Sequence, residues 1–466
     1  MPNRPYTYFD FTQSICAVCL ERADAKILFE EGSVYMLKRC GQHGIEKVLI
    51  SEDIEYYLKM RTYVKKSEMP YSFATKTQFG CPYDCGLCED HEQHSCLSIV
   101  EITDQCNLAC PTCYASSAPG KGTHRSFEEV KGMFDMIVAR EGHPDVVQIS
   151  GGEPTIHPDF FKIVEYARTL PIRHLMVNTN GIRIATDDAF VEELSKYKKG
   201  FEIYLQFDSL DVAPLEHLRG ADLRKIREKA LEALNRIAVS TTLVVTVQKG
   251  INDHEMGAII DYALTQPSVR GVTFQPVQMA GRFTNVEVSN KIPLSTIRTN
   301  ILSQTSVFSP DDIIPVPCNP DALAMGYALK MEDKVVPLTR YVDPKVLLEG
   351  SRNTIVYEQD EKMKQHILQI FSTGTAPETV GEKLKELLCC LPKIVAPSFR
   401  YDQLFRVIIM SFMDAHDFDV RAVKKSCVHI ATTDGKLIPF ETMNIFYRDN
   451  QEVLQKIRRK IAHGSM

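Results

Sequence analysis

The chain has 466 residues, 44% of them hydrophobic, and a formal net charge of −6. That length supports two or three domains with ample core, and the modest charge gives no reason to expect nucleic acid as a partner. No apolar run approaches the roughly 20 residues that span a bilayer, and MPNRPYTYFD lacks a signal-peptide core, so a cytoplasmic protein without a membrane span is expected. In that setting its fourteen cysteines read as metal ligands rather than disulfides.

The first such ligands are Cys16-x-x-Cys19 and Cys40-x-x-His43-Gly44, with a strand-like segment, Ser33 to Leu37, between them. Two close pairs close a tetrahedron around one ion, and either zinc or a mononuclear iron fits. A structural ion stabilising a small domain is the plainer expectation. A rubredoxin-like electron site is the functional alternative. Next comes Cys81-Pro82-Tyr83-Asp84-Cys85-Gly86-Leu87-Cys88, with Cys96 eight residues on. Four thiols in so short a span can ligate a four-iron cluster, and His91 and His94 between them are expected in supporting or surface roles. A pairing of Cys40 with Cys81 would change the ligands of both sites.

Ser98 to Thr103 alternates like a strand and leads into Cys106-Asn107-Leu108-Ala109-Cys110-Pro111-Thr112-Cys113. Three thiols are one too few for a closed tetrahedral site. A cubane held by three thiolates keeps one iron open for a small chelating molecule. A helix is expected over Phe127 to Arg140, then a strand from Val146 to Ser150, then Gly151-Gly152-Glu153-Pro154-Thr155. Two glycines let the backbone approach a ligand, and a carboxylate beside them can pair with an ammonium group.

Further strands are expected at His174 to Thr179, Glu202 to Phe207, Thr241 to Val247 and Gly271 to Gln275, with a helix at Leu223 to Ala238. This alternation implies an α/β fold with a parallel sheet and crossover helices. After Gly281 the rhythm stops: Asn285 to Thr296 and Phe308 to Pro320 read as loops. Tyr357 to Phe371, Glu378 to Cys390 (with Cys389-Cys390 buried in its face) and Asp402 to Met413 read as amphipathic helices. Gln451 to Ile461 reads as a charged terminal helix.

The three-thiol loop followed by the GGEPT segment resembles the radical SAM superfamily. The resemblance implies a partial (β/α)6 barrel and a 4Fe-4S cluster on Cys106, Cys110 and Cys113. The open iron would take S-adenosylmethionine, and reductive cleavage would give a 5′-deoxyadenosyl radical that removes hydrogen from an unactivated C–H bond. The family's aromatic residue before the third cysteine is replaced by Thr112, so Tyr114 is expected to cover the adenine. Gly151, Gly152, Glu153 and Pro154 are expected to bind the cofactor's amino group. Asn180, Asp208 and Ser209, at strand ends that face the site in full barrels, are expected to touch the cofactor, although each also suits a turn or a helix cap.

The order of the cysteine motifs is similar, more narrowly, to the group containing the archaeal tetraether lipid synthases, some of whose members are described as pterin methyltransferases. The similarity covers roughly residues 10 to 285 and resumes at Cys318 and at Cys427-Val428-His429. Ser426 and Glu441 stand where further cysteines are expected, so only Cys318 and Cys427 remain as ligands of a late cluster, with Glu441 or His429 as candidate replacements. The resemblance implies three domains: a Cys-rich metal domain (1–97), the barrel (98–285) and a mainly helical C-terminal cap (286–466). Its cofactors are the catalytic cluster, an auxiliary 4Fe-4S cluster on Cys81, Cys85, Cys88 and Cys96, and the N-terminal ion. It implies a flavodoxin- or ferredoxin-like electron donor, carbon–carbon bond formation on lipid chains with peripheral membrane contact, and a greasy tunnel lined by the helices from Tyr357 to Met413. Methylation of a pterin or similar heterocycle is the alternative. A cluster protein that only carries electrons is a third reading, and the GGEPT segment argues against it.

Overall fold

A computed structural model describes residues 4–63, 68–283, 288–331, 334–340 and 403–464. The N-terminal segment is an antiparallel meander of four strands in sequence order: β1 (Thr7–Ile15), β2 (Arg22–Glu30), β3 (Ser33–Cys40) and β4 (Gly44–Ser51). Alternation in β2 and β3 turns Ala25, Ile27, Val34 and Met36 inward. The two metal pairs sit at its turns, Cys16 and Cys19 between β1 and β2, Cys40 and His43 between β3 and β4. A short helix, α1 (Ile54–Met60), follows, its N-terminus capped by the Asp53 carboxylate.

The barrel strands are β5 (Leu97–Thr103), β6 (Val146–Gly151), β7 (His174–Thr179), β8 (Phe201–Gln206), β9 (Thr241–Val247) and β10 (Val269–Pro276). They lie side by side in sequence order, every neighbour parallel. Their sequences are near-continuous apolar runs because helices cover one face and the barrel interior the other. The covering helices are α2 (Phe127–Glu141), α3 (Phe160–Thr169), α4 (Ile182–Thr186), α5 (Asp188–Leu194), α6 (Val212–Arg219), α7 (Arg224–Ile237) and α8 (Met256–Thr265). α2 starts at a capping box in which Ser126 and Glu129 exchange hydrogen bonds, which fixes where the chain turns back after the cysteine loop. The main core packs Val100, Ile102, Ile149, Val177, Leu205 and Val245 of the strands against Phe134, Ile163 and Leu234 of the helices.

The chain after residue 288 joins the same sheet. Within the stretch expected as loop, α9 (Leu294–Gln304) begins, its buried stripe Leu294, Ile297 and Ile301 hidden in the sequence among Ser, Thr and Asn. β11 (Ile314–Pro315), β12 (Leu323–Lys330), β13 (Val335–Pro337) and β14 (Leu404–Met410) extend the edge beyond β10. β15 (Val428–Ala431) lies parallel beside β5, and β16 (Leu437–Pro439) beside β15. The helix expected over Asp402 to Met413 is therefore strand β14, parallel to β10 and antiparallel to β12. An apolar run this short carries no periodicity, so a buried strand and a buried helix look alike. The helices expected at Tyr357 to Phe371 and Glu378 to Cys390, and the tunnel they were to line, lie outside the described residues. The terminal helix spans Gln451–Ala462, as expected.

A fully buried ionic network fixes β14 to the barrel. Arg406 of β14 bonds Glu202 of β8, whose other carboxylate oxygen stands 3.0 Å from His174 Nε2 of β7. Burial works against this carboxylate, but Arg406 and His174 outweigh it and hold its pKa far below the usual range. Among the described residues no helix is long and apolar enough to cross a membrane.

Candidate active site and metal centres

Cys106, Cys110 and Cys113 follow β5 on a loop braced from the far end of the barrel. Arg282, just after β10, donates through Nε to the Cys110 carbonyl (2.8 Å), through Nη2 to that of Ser117 (2.8 Å) and through its amide to that of Cys113 (3.1 Å). Gly281 makes this contact possible: its φ is +60°, and a Cβ there would come within 2.3 Å of the Tyr114 carbonyl oxygen. Burial pushes the Cys106 thiol up to about 12, so an ion bound there must displace its proton.

The three thiols open onto a cleft inside the barrel with about 1260 Å³ of free space, mouth included. Its walls carry Leu97, Ile99, Met410, Phe412, Val428 and Phe440, and an arc of polar side chains from Gln148, Asn178, Tyr204, Gln206 and Gln275.

Of the expected cofactor contacts, Tyr114, Gly151, Gly152, Glu153 and Asn180 line the cleft. Tyr114 is half-buried against Phe440 (ring centroids 5.0 Å apart) with the Arg448 guanidinium 5.4 Å from its ring centre. Gly152 is required for a reason other than ligand approach. A Cβ there would sit 2.0 Å from the Gln105 carbonyl oxygen, so the GGEPT backbone packs directly on the chain entering the cysteine loop. The Glu153 carboxylate, expected to pair with an ammonium group, is engaged by the chain itself. It accepts from the Thr155 amide (3.1 Å) and hydroxyl (2.6 Å), the Thr179 hydroxyl (2.7 Å) and the Asn180 amide (2.7 Å), tying the end of β6 to the end of β7. Pro154 opens the single buried turn Pro154–Ile156 and is not part of the cleft wall.

Asp208 and Ser209 do not reach the cleft. Ser209 Oγ donates to Glu255 (2.5 Å). Asp208 takes two hydrogen bonds from Arg219, at 2.7 Å to Oδ2 and 2.5 Å to Oδ1, and its pKa is lowered by that guanidinium against the opposing effect of burial. Arg219 is the residue that faces the cleft, beside Cys110, and it was missed because nothing in VAPLEHLRG marks one arginine at the end of a helix as a ligand. It also donates to Gln206 (2.8 Å), which donates to Asn178 (2.7 Å), which donates to Ser150 (3.2 Å). Arg227 lines the same wall. Its Nε and Nη2 are buried without a hydrogen bond, and the Asp208 carboxylate stands 3.7 Å away. A buried guanidinium with donors to spare beside three thiols fits a ligand carrying a carboxylate.

The remaining cysteines among the described residues fall into three groups. Cys16, Cys19, Cys40 and His43 come together with Cys16 Sγ 3.5 Å from His43 Nδ1, Cys40 Sγ 3.4 Å from the same nitrogen, and Cys19 Sγ 3.9 Å from Cys40 Sγ. Cys40 thus pairs with the N-terminal group, not with Cys81. Cys81, Cys85 and Cys88 surround a small hollow that His91 also lines. Cys96 is not with them. It stands with Cys318 and Cys427, the three sulfurs within 4.8 Å of one another, because β5 carries it beneath the neighbouring start of β15. Glu441 and His429 do not join either group of ligands. Glu441 accepts from Ser426 Oγ (3.0 Å), so the two positions where cysteines were expected bond each other, and His429 contacts Ser95 (3.2 Å) and His91 (3.2 Å).

Residues 100–263 match the family model of the radical SAM superfamily, and residues 8–52 match that of the HMPTM N-terminal zinc ribbon domain. The chain is 32% identical to the 7,8-dihydro-6-hydroxymethylpterin dimethyltransferase of Methanocaldococcus jannaschii, over 96% of this chain and 95% of that one. The chain belongs to the radical SAM superfamily. It is 27% identical to the GTP 3′,8-cyclase of Syntrophomonas wolfei over 41% of this chain and 59% of the cyclase. Among solved structures it is similar to Streptococcus suis SuiB bound to S-adenosylmethionine, at 17% identity and a TM-score of 0.38, over 44% of this chain and 46% of that one. As a radical SAM protein the chain is an enzyme that uses a 4Fe-4S cluster with S-adenosylmethionine, and its N-terminal meander is a zinc ribbon.

Proposed function

We propose that this radical SAM enzyme methylates ring carbons of a reduced pterin, with Cys106, Cys110 and Cys113 as the ligands of its catalytic cluster. The observation that carries the reading is the arc of amides across the barrel mouth, Gln148, Asn178, Gln206 and Gln275, on four different strands. A pterin presents alternating donors and acceptors along its pyrimidine edge, and carboxamides offer both in one plane. A lipid chain has no use for them; the apolar walls of the same cleft, Leu97, Ile99, Met410 and Val428, suit either substrate, so the amides carry the choice. The 32% identity along nearly the whole of a pterin dimethyltransferase supports the same choice over the lipid reading.

A cluster and S-adenosylmethionine bound here supply a carbon radical able to remove hydrogen from an unreactive C–H bond. The chain's residues do the rest. Arg227 holds the cofactor's carboxylate, while Arg219 fixes Gln206 and, through it, Asn178, so the amides wait in one orientation. Phe412, Phe440, Ile99 and Leu97 keep water from the reacting carbon. Tyr114 and the GGEPT turn close the cofactor end of the cleft.

Cells producing the enzyme should accumulate methylated pterins, detected by mass spectrometry, and cells producing the Cys106→Ala variant should not. Gln206→Leu should cut methylated pterin at least tenfold while the purified variant still forms 5′-deoxyadenosine. Coupled lipid chains with unaltered pterins would overturn the reading.

A further inference from the structure

Cys96, Cys318 and Cys427 stand together outside the cleft, and none of them lines it. We infer that these three thiols hold one thiophilic divalent ion, zinc or ferrous iron, rather than an iron–sulfur cluster.

The spacing carries the inference. Thiolates about 2.3 Å from one tetrahedral ion lie about 3.8 Å from each other. Cys318 Sγ and Cys427 Sγ are 3.8 Å apart, and all three sulfurs fall within 4.8 Å. The zinc ribbon shows the same scale, 3.4 to 3.9 Å between its ligand atoms. A cubane spreads its thiolates wider, because each binds a different iron. Accordingly, neither Cys106, Cys110 and Cys113 nor Cys81, Cys85 and Cys88 falls within that close spacing.

His94 lies beside one of the thiols but does not fall within 4.8 Å of all three sulfurs, so it stands outside the ligand set. Ser426 and Glu441 are bonded to each other, and His429 is turned to Ser95 and His91. His94 Nε2 lies 3.4 Å from Cys96 Sγ, and its Nδ1 is 3.0 Å from the buried carboxylate of Glu141 on α2. The Glu68 carboxylate is farther from Nε2, at 3.7 Å. Held by the Glu141 carboxylate, His94 orients the Cys96 thiol from outside the ligand set. The Ser95 amide donates to the second Glu141 oxygen (3.1 Å), fixing the carboxylate in turn.

The placement gives the ion a purpose. Cys96 immediately precedes β5 and Cys427 immediately precedes β15, while Cys318 follows β11 at the opposite end of the sheet order. One ion on all three staples the two edges of the open barrel. This role is independent of the substrate.

The test uses the full chain, purified and handled without oxygen, with metals and acid-labile sulfide counted. Cys318→Ser should lose one zinc or iron per chain with sulfide unchanged. Loss of several irons together with sulfide would overturn the single ion, as would an unaltered metal count in Cys318→Ser. Native mass spectrometry of the unmodified chain tests the same point without relying on the variants: two single ions beside the clusters are expected, and one only would overturn the inference.

Discussion

Glu441 is a buried carboxyl group whose hydrogen-bond partner, Ser426, is neutral. Burial pushes its pKa up to about 7, against the pull of the hydrogen bond from Ser426. A glutamate in the unfolded chain titrates near 4.3, so folding holds this proton more tightly. The stability it contributes is fully present below about pH 4 and is lost progressively as the pH rises from there through 7, about 4 kcal/mol in all. Glu441→Gln keeps the contact and removes the titration. Unfolding measured at a series of pH values should show the wild type losing ground to the variant between pH 5 and 8, and parallel curves would refute this. The same scale shows what the sequence can tell of a site. The three-thiol loop and the GGEPT turn were legible because their spacing is the chemistry. Arg219 and Arg227 were not, since a cationic side chain acquires its role from the Asp208 behind it and the cleft in front, both products of tertiary packing. Asp208 was expected at the cleft, and its partner Arg219 lines the cleft in its place.

At the scale of elements, the six barrel strands could be read within a residue or two, because parallel strands buried on both faces leave unbroken apolar runs between turn residues. β7 and β9 begin and end where the sequence places them. The added edge strands could not be read. β11, β13, β15 and β16 are two to four residues long, too short for a period, and β14 passes for a helix. What fixes β14 is its pairing with β10 and β12 and the charge it carries inward. Arg406 is buried, and Glu202 is its carboxylate partner. Glu202→Gln removes this buried carboxylate from the guanidinium and should cost about 3–5 kcal/mol in chemical unfolding of the intact enzyme. Asp188→Asn, which breaks the exposed pair with Arg236 (3.3 Å), should cost less than about 1 kcal/mol. Equal effects would mean that the buried network does not hold the strand.

At the scale of the molecule, the ribbon and the C-terminal segment share one core. Ile15 and Leu20 of the ribbon pack with Tyr83 from the Cys81 loop and with Phe418, Val420 and Phe446. Polar ties run the same way. Lys38 Nζ donates to the Ala415 carbonyl (2.7 Å), Thr12 Oγ1 to Asp419 (2.7 Å), and Tyr83 OH to the Leu20 carbonyl (3.0 Å). The ribbon alone has too few inward residues to fold without its ion, since a small domain of this kind draws its folding energy from the metal. Here it also rests on a surface that does not depend on that ion. Cys16→Ala with Cys19→Ala should therefore lose one metal per chain and lower the onset of thermal unfolding. It should leave acid-labile sulfide nearly unchanged and 5′-deoxyadenosine formation within about threefold of the wild type. Loss of about four sulfides per chain would instead make the ribbon pairs ligands of a cubane. Loss of S-adenosylmethionine cleavage with sulfide intact would show that the shared core around Tyr83 transmits the ribbon's unfolding to the barrel.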